Sequence, residues 1–145
     1  MNDPARPEFW DERYARDTTP WDYGGVPPQL RDYLAAHPRG GRALIPGCGT
    51  GHEIAAFHDA AYDVTAIDFA RAAVDRARVN LGPVLAERVF LGDFFTYDFA
   101  AAPFDVIYER TFLCALPLDL REKYAARTTE LLKPGGVLVG LFYLG

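Results

Sequence analysis

The stretch LIPGCGTGHEIAAF, residues 44–57, places glycine at 47, 49 and 51, after an apolar run and before a helical one. Glycine inside an element costs about 0.5–1 kcal/mol relative to alanine. Three in five residues therefore point to a sharp backbone bend or to a close approach by something else. Two phosphate-binding chemistries fail on spacing. A dinucleotide turn needs G-x-G-x-x-G with pyrophosphate on the helix N-terminus, and His52 stands where its third glycine belongs. A P-loop needs a lysine directly after its last glycine, and none is present.

The spacing G-x-G-x-G suits S-adenosylmethionine, a cofactor without phosphate. Its turn has only to let backbone pass close to the amino-acid moiety and ribose; a tight strand-to-helix turn without a ligand is the alternative. Asp68, closing TAID, is an acid about 20 residues after the glycines. An acid so placed can accept both ribose hydroxyls, as in dinucleotide sites; the alternative is a cap for the helix that follows, and the place at the end of the second strand, beside the glycine turn, favours the ribose. Phe69 adjoins it and is counted with the cofactor set. Beside Asp93, in GDFF, an adenine could lie against Phe94 and be hydrogen-bonded by the Asp93 carboxylate and a backbone N–H. The competing reading is ordinary turn chemistry at Gly92-Asp93, with Phe94 and Phe95 in the core.

Positioning these groups takes alternating elements. RALIP reads as a buried strand, His52 to about Ala60 as a helix and YDVTAID as a strand. Ala70 to Asn80 reads as a helix, ERVFLGD as a third strand after a loop at Gly82-Pro83, and PFDVIYE as a fourth. Asp119 with Glu122 resembles a capping box opening a helix to Leu132. Pro134-Gly135-Gly136 stops it, and VLVGLFYL is a fifth strand. Helices between near-continuous apolar strands mean an α/β fold, a doubly wound, mostly parallel Rossmann-like sheet covered on both faces. Ligands then bind beyond the carboxyl ends of the strands, where the glycines lie. Before the core, Pro27-Pro28 opens a helix to about Ala36, and Glu8 to Arg16 is expected as a short helix. The organisation expected is an aromatic and helical cap over residues 1–40, followed by a cofactor-binding core over 41–145.

The chain has 145 residues, 50% hydrophobic and 24% charged, with net charge -5. That is one globular domain. Lysine and arginine are scattered and outnumbered, which disfavours nucleic acid as a partner. The charged N-terminus has no apolar signal region, and no run approaches a membrane span, so cytoplasm is the expected compartment. Cys48 and Cys114 lie far apart, outside any CxxC pair, and are expected as small buried residues; no metal site is expected. His37, His52 and His58 have no identifiable partner in sequence, and His52 with Glu53 reads as an exposed first helical turn.

Taken in order, FWDERYARDTTPWDYGGVPPQL, LIPGCGTGHE, AIDFA, GDFF and FDVIYERTFLCAL resemble the thiopurine S-methyltransferase family, which includes thiol and halide/thiocyanate methyltransferases. The resemblance covers nearly the whole chain. It implies an enzyme moving a methyl group from S-adenosylmethionine to a small soft nucleophile: a thiol, a thiopurine or a halide-like anion. It also implies that Gly47, Gly49 and Gly51 shape the cofactor turn and that Asp68 holds the ribose, with Asp93 and Phe94 at the adenine. Trp21 is implied near the cofactor, Trp10 and Tyr14 near the substrate, and Arg110, in YERTFL, at the acceptor. Aromatic faces suit a sulfonium as they suit ammonium groups. Arg110 could favour a thiolate, or simply pair with Glu109 or Glu122.

The chain stops after the fifth strand, where the family's sheet ordinarily continues. The expectation is a shortened product with its cofactor half complete and activity weak or absent. LVGLFYLG is then an apolar edge open to self-association. Two further readings are a non-enzymatic cofactor-binding or oligomerising remnant and, less favoured because of His52, a nicotinamide-dependent oxidoreductase.

Overall fold

The computed structural model describes residues 27–37, 40–47, 51–110 and 116–141. The expected Glu8 to Arg16 helix and most of the 1–40 cap lie outside these residues. The first described helix, α1, is Pro28–Ala36. Proline suits its first turn because the missing N–H would have no helical partner there. Leu30 and Leu34, one turn apart, are its buried contacts with the core. His37 follows it and does have a partner, contrary to expectation: Nδ1 bonds the Tyr33 carbonyl at 2.9 Å, and the rings stack at 4.2 Å.

Five strands follow: β1 (Gly41–Pro46), β2 (Tyr62–Asp68), β3 (Val89–Leu91), β4 (Phe104–Arg110) and β5 (Leu132–Leu141). Between them run α2 (His52–Asp59), α3 (Arg71–Ala86) and α4 (Leu118–Leu131). The sheet order is β3-β2-β1-β4-β5, and all neighbouring pairs are parallel. The winding direction reverses between β1 and β4, so their carboxyl ends flank the crevice such sheets use for ligands. Two-residue alternation divides the core between two faces. Ala43 and Ile45 pack with Leu30, Ile54, Phe57 and Tyr108 on one. Leu44 packs with Ile67, Phe94, Phe104, Ile107 and Tyr124 on the other. Each fully buried side chain of this size contributes about 1.5–3 kcal/mol.

Several boundaries differ from those read in sequence. The third strand, read as ERVFLGD, is only Val89–Leu91. Gly82, at φ 81° and ψ 175°, breaks α3 as anticipated, but Pro83 restarts a last turn to Ala86 where a loop was expected. Proline is at home in a first turn, so the break doubles as a new start. The Asp119/Glu122 capping box is not used. Pro117 precedes the first helical residue, no side chain caps the helix, and Asp119 lies inside the first turn, where its charge favours the helix dipole. Finally, β5 begins at Leu132, paired with Phe104. The register then slips, so that Val106 pairs with Val137 and the Pro-Gly-Gly segment bulges out. Val137 and Leu138 are exposed. Among the described residues, no helix is long and apolar enough to cross a membrane.

Asp105 ties the amino end of the crevice strands together. Its Oδ2 accepts the Arg42 N–H at 2.7 Å, and its carboxylate pairs with the Lys133 ammonium. The backbone bond, then Lys133, hold its pKa below the usual aspartate range. A lowered folded-state pKa gives stability that is complete above the unfolded value of about 3.9 and is lost as pH falls through the folded one. Asp105→Asn is expected to lower the melting temperature at neutral pH and to narrow its gap from the wild type below about pH 4. A constant gap down to pH 2 would dismiss the linkage.

Candidate functional site

The β1–α2 turn passes through left-handed backbone at Gly47 (φ 59°) and Gly51 (φ 87°, ψ 12°). Gly51 is buried. A Cβ there would sit 3.0 Å from the Ala77 Cβ of α3 and 3.4 Å from Ile54 Cδ1. This glycine therefore serves conformation and a close approach of α2 to α3. Gly47 forms part of a cavity wall. Gly49 lies outside the described residues, as do Cys48, Cys114, Trp10, Tyr14 and Trp21.

The cavity, of about 260 Å³, lies over the carboxyl ends of β1, β2 and β3. Gly47, Asp68, Phe69, and the Gly92–Thr96 loop line it, with Leu116, Leu120 and Lys123 across from them. Asp68 is 8% exposed. Its Oδ1 accepts the Ala70 N–H at 3.0 Å, and its carbonyl accepts the Gly92 N–H at 3.0 Å, joining the ends of β2 and β3. The helix cap weighed for Asp68 is not used, since Ala70 precedes the first helical residue of α3 and no side chain caps it; the bond to the Ala70 N–H is a turn ahead of the helix, and Asp68 also stands on the cavity wall. Asp93 behaves in parallel. Its Oδ1 accepts the Phe95 N–H at 2.9 Å, and its carbonyl accepts the N–H groups of Thr96 and Tyr97. The Asp93 side chain stays exposed, while Phe94 is only 4% exposed, packed against Phe99 and Tyr124.

Sequence reading missed the contribution of α4. Leu120, Lys123, Tyr124 and Arg127 fall at i, i+3, i+4 and i+7, one helical stripe; Leu120 and Lys123 line the cavity, while Tyr124 and Arg127 anchor the helix beside it. Arg127 donates from Nε to the Phe94 carbonyl at 2.9 Å and from a terminal nitrogen to the Tyr97 carbonyl at 2.5 Å. Its other terminal nitrogen meets Glu130 at 2.6 Å, and the guanidinium lies 5.7 Å from the Phe99 ring centre. The Tyr124 hydroxyl donates to fully buried Glu109 at 2.8 Å. Burial, then the Glu109 charge, push the Tyr124 phenol well above its ordinary pKa. Glu109 was considered in sequence only as a partner for Arg110. Arg110 itself ends β4, opposite Leu141.

Glu53 corrects another expectation. It is 5% exposed, not part of an exposed first turn, and its Oε2 is 3.5 Å from the Tyr108 hydroxyl. Phe57 shows why: residues 53 and 57 lie one turn apart on the same inward face. Among the described residues, no three histidine, cysteine or acidic side chains gather closely enough to hold a metal ion.

A parallel sheet in the order 3-2-1-4-5, with its glycine turn at the reversal point, is the Rossmann-like arrangement, and solved methyltransferases share it. The SAM-bound amino pentose methyltransferase CalS10 from Micromonospora echinaspora superposes with a TM-score of 0.66 at 28% identity, over 92% of this chain and 56% of that one. Within this class the chain belongs to the thiopurine S-methyltransferase family, which it matches over residues 5–144. It is 34% identical over 138 residues to probable thiol methyltransferase 2 of Arabidopsis thaliana, covering 92% of this chain and 61% of that protein. With thiocyanate methyltransferase 1 of the same plant, identity is 32% over 139 residues, 92% of this chain and 60% of that protein. The chain thus spans about three-fifths of the length of these relatives.

Arg127 can be tested apart from any ligand. Arg127→Met keeps much of the side-chain volume but strips the donors from the Phe94 and Tyr97 carbonyls. A loss of about 1–3 kcal/mol is expected by chemical denaturation. A change under about 0.5 kcal/mol, the usual range for an inconsequential surface substitution, would show that the clamp adds nothing.

Proposed function

We propose that this chain binds S-adenosylmethionine in the cavity at the ends of β1, β2 and β3, and that it serves methyl transfer to a small soft nucleophile. The acceptor class is a thiol, a thiopurine, or a halide- or thiocyanate-like anion. The observation that carries the reading is the pair of carboxylates at the cavity, Asp68 buried at the end of β2 and Asp93 exposed on the next loop. The residues present fit such a ligand. Asp68 offers an acceptor for a ribose diol, Asp93 one for an adenine amine, and Leu116, Leu120 and Phe69 offer apolar wall. Gly47 leaves room for the backbone to approach the amino-acid end.

When bound, the cofactor supplies an electrophilic methyl carbon on a sulfonium. The protein's task is then to align the acceptor and exclude water. A thiolate or halide already carries its lone pair, so no strong general base is needed. Trp21 is assigned beside the cofactor, and Trp10 and Tyr14 beside the acceptor. Aromatic faces there would stabilise the sulfonium by about 0.5–2 kcal/mol each. Arg110 is assigned to the acceptor, where its charge favours the anionic form of a thiol.

Titration calorimetry with S-adenosylhomocysteine, with NAD as the control, tests the cofactor. Asp68→Asn keeps an acceptor for the Ala70 N–H but removes the charge, and is expected to weaken binding by about 1.5–3 kcal/mol with little change in melting temperature. An unchanged dissociation constant, or tighter binding of NAD, would overturn the assignment. Turnover screened over thiopurine, hydrogen sulfide, thiocyanate and iodide names the acceptor. If Arg110 lowers the acceptor's pKa, Arg110→Met should move the pH–rate profile for a thiol to higher pH. With iodide, which has no proton to lose, it should raise KM and leave the profile in place. A thiol profile that stays put removes Arg110 from that role.

A further inference from the structure

The loop after β3 is gripped by one side chain of α4. Arg127 donates from Nε to the Phe94 carbonyl at 2.9 Å and from a terminal nitrogen to the Tyr97 carbonyl at 2.5 Å. Its other terminal nitrogen donates to Glu130, three residues on, at 2.6 Å. Every guanidinium nitrogen is therefore engaged, and the side chain is only 14% exposed. Arg127 is not among the described residues that line the cavity, whereas the loop it grips, Gly92 to Thr96, does line it. Any effect of Arg127 on a bound molecule must pass through what it holds.

The route is a single peptide group. The Phe94 carbonyl and the Phe95 N–H belong to one amide, which resonance keeps planar. Arg127 holds its oxygen, and the Asp93 Oδ1 accepts its N–H at 2.9 Å. Fixing one side of the plane fixes the direction of the other, and with it the place of the Asp93 carboxylate. A cation on the oxygen also polarises the amide and strengthens the bond its N–H donates. The second grip acts on the same turn. The Asp93 carbonyl accepts the Tyr97 N–H at 2.9 Å, and Arg127 holds the Tyr97 carbonyl. The turn that starts at Asp93 is thus tied to α4 at two carbonyls. A planar fork suits this task; a lysine ammonium offers three donors around a point.

We infer that Arg127 is a positioning residue for base recognition: acting through the Phe94–Phe95 peptide, it holds the Asp93 carboxylate where it accepts from the exocyclic amine of an adenine. The inference rests on the cofactor reading above and deepens it. The Asp93 side chain is exposed, so without the clamp its carboxylate has other staggered rotamers open to it in water. Ordering it ahead of the ligand moves that entropy cost from binding to folding. The mark of this route is base dependence. Arg127 adds most to ligands that carry the amine, whereas a residue that merely supports the fold adds equally to all.

The test is a cycle between variant and ligand. Wild type and Arg127→Met are titrated with S-adenosylhomocysteine and with its 6-deamino analogue, in which hydrogen replaces the amine. The wild type's preference for S-adenosylhomocysteine should fall about 3–10-fold in the variant, the range of one hydrogen bond at a partly exposed site. Amide exchange gives a second reading without ligand. Phe95 should exchange about 3–10-fold faster in the variant, as its local opening becomes easier, while Gly92, held by the Asp68 carbonyl, keeps its rate. Should Arg127→Met fail to fold, Arg127→Lys, which keeps the charge and loses the fork, is put through the same two measurements, with smaller changes of the same sign expected. An unchanged preference, or an unchanged Phe95 rate, would overturn the inference. Tight binding of S-adenosylhomocysteine by the wild type in those cases would leave the cofactor reading standing. Failure of the wild type to bind it would remove both.

Discussion

The structure turns on the link from β1 to α2, where the chain takes left-handed backbone at Gly47 and Gly51 and brings Gly51 against Ala77. A side chain at 51 would pay for left-handed φ, about 1–2 kcal/mol, and would also push α3 from α2. Because α3 follows directly from Asp68, that displacement would reach the end of β2. The all-parallel order adds the rest: every strand delivers its carboxyl end to the same edge, and the reversal between β1 and β4 opens a crevice at that edge. One steric condition at a two-helix contact thus governs where the first acid stands.

The opposite wall is set by polar constraint. Arg127 reaches from α4 to two loop carbonyls, and Tyr124 reaches fully buried Glu109. A buried carboxylate is tolerable only with hydrogen bonds around it, so the Tyr124 hydroxyl cannot drift from the end of β4 without large cost. These two anchors, one turn apart, settle the rotation of α4 about its axis. Leu120 and Lys123 face the cavity as a consequence. Apolar packing alone would permit a small roll of the helix; the paired hydrogen bonds do not.

How much of this was legible in the sequence follows from how local each cause is. The strands were, because parallel strands buried on both faces are apolar runs, and YDVTAID matches β2 residue for residue. The glycine turn and Asp68 were, because spacing after a strand is a local property. The restart at Pro83 was not, since a Gly-Pro pair reads equally as a loop or as a new first turn. Glu53 was misplaced because an acid in a first turn normally faces water; its burial comes from Tyr108, 55 residues away. Arg127 was invisible for the same reason, its acceptors lying 33 and 30 residues back. A charged residue on the same stripe as Leu120 and Tyr124 was the one available sign.

Asp68 and Asp93 resolve what looked like a choice between bland and functional readings. Each carboxylate accepts the backbone N–H two residues on, Ala70 and Phe95 respectively, the bond that makes an aspartate turn. In sequence this turn chemistry competes with ligand binding as an explanation for the residue. In the folded chain it is a condition for it. A carboxylate held by its own backbone has lost its rotamer freedom before any ligand arrives, and a site whose polar groups are already ordered gives up less entropy on binding. The same geometry recurs at the ends of two neighbouring strands joined through the Gly92 N–H and the Asp68 carbonyl. The two acceptors are therefore fixed relative to one another by backbone, and their separation is a property of the sheet.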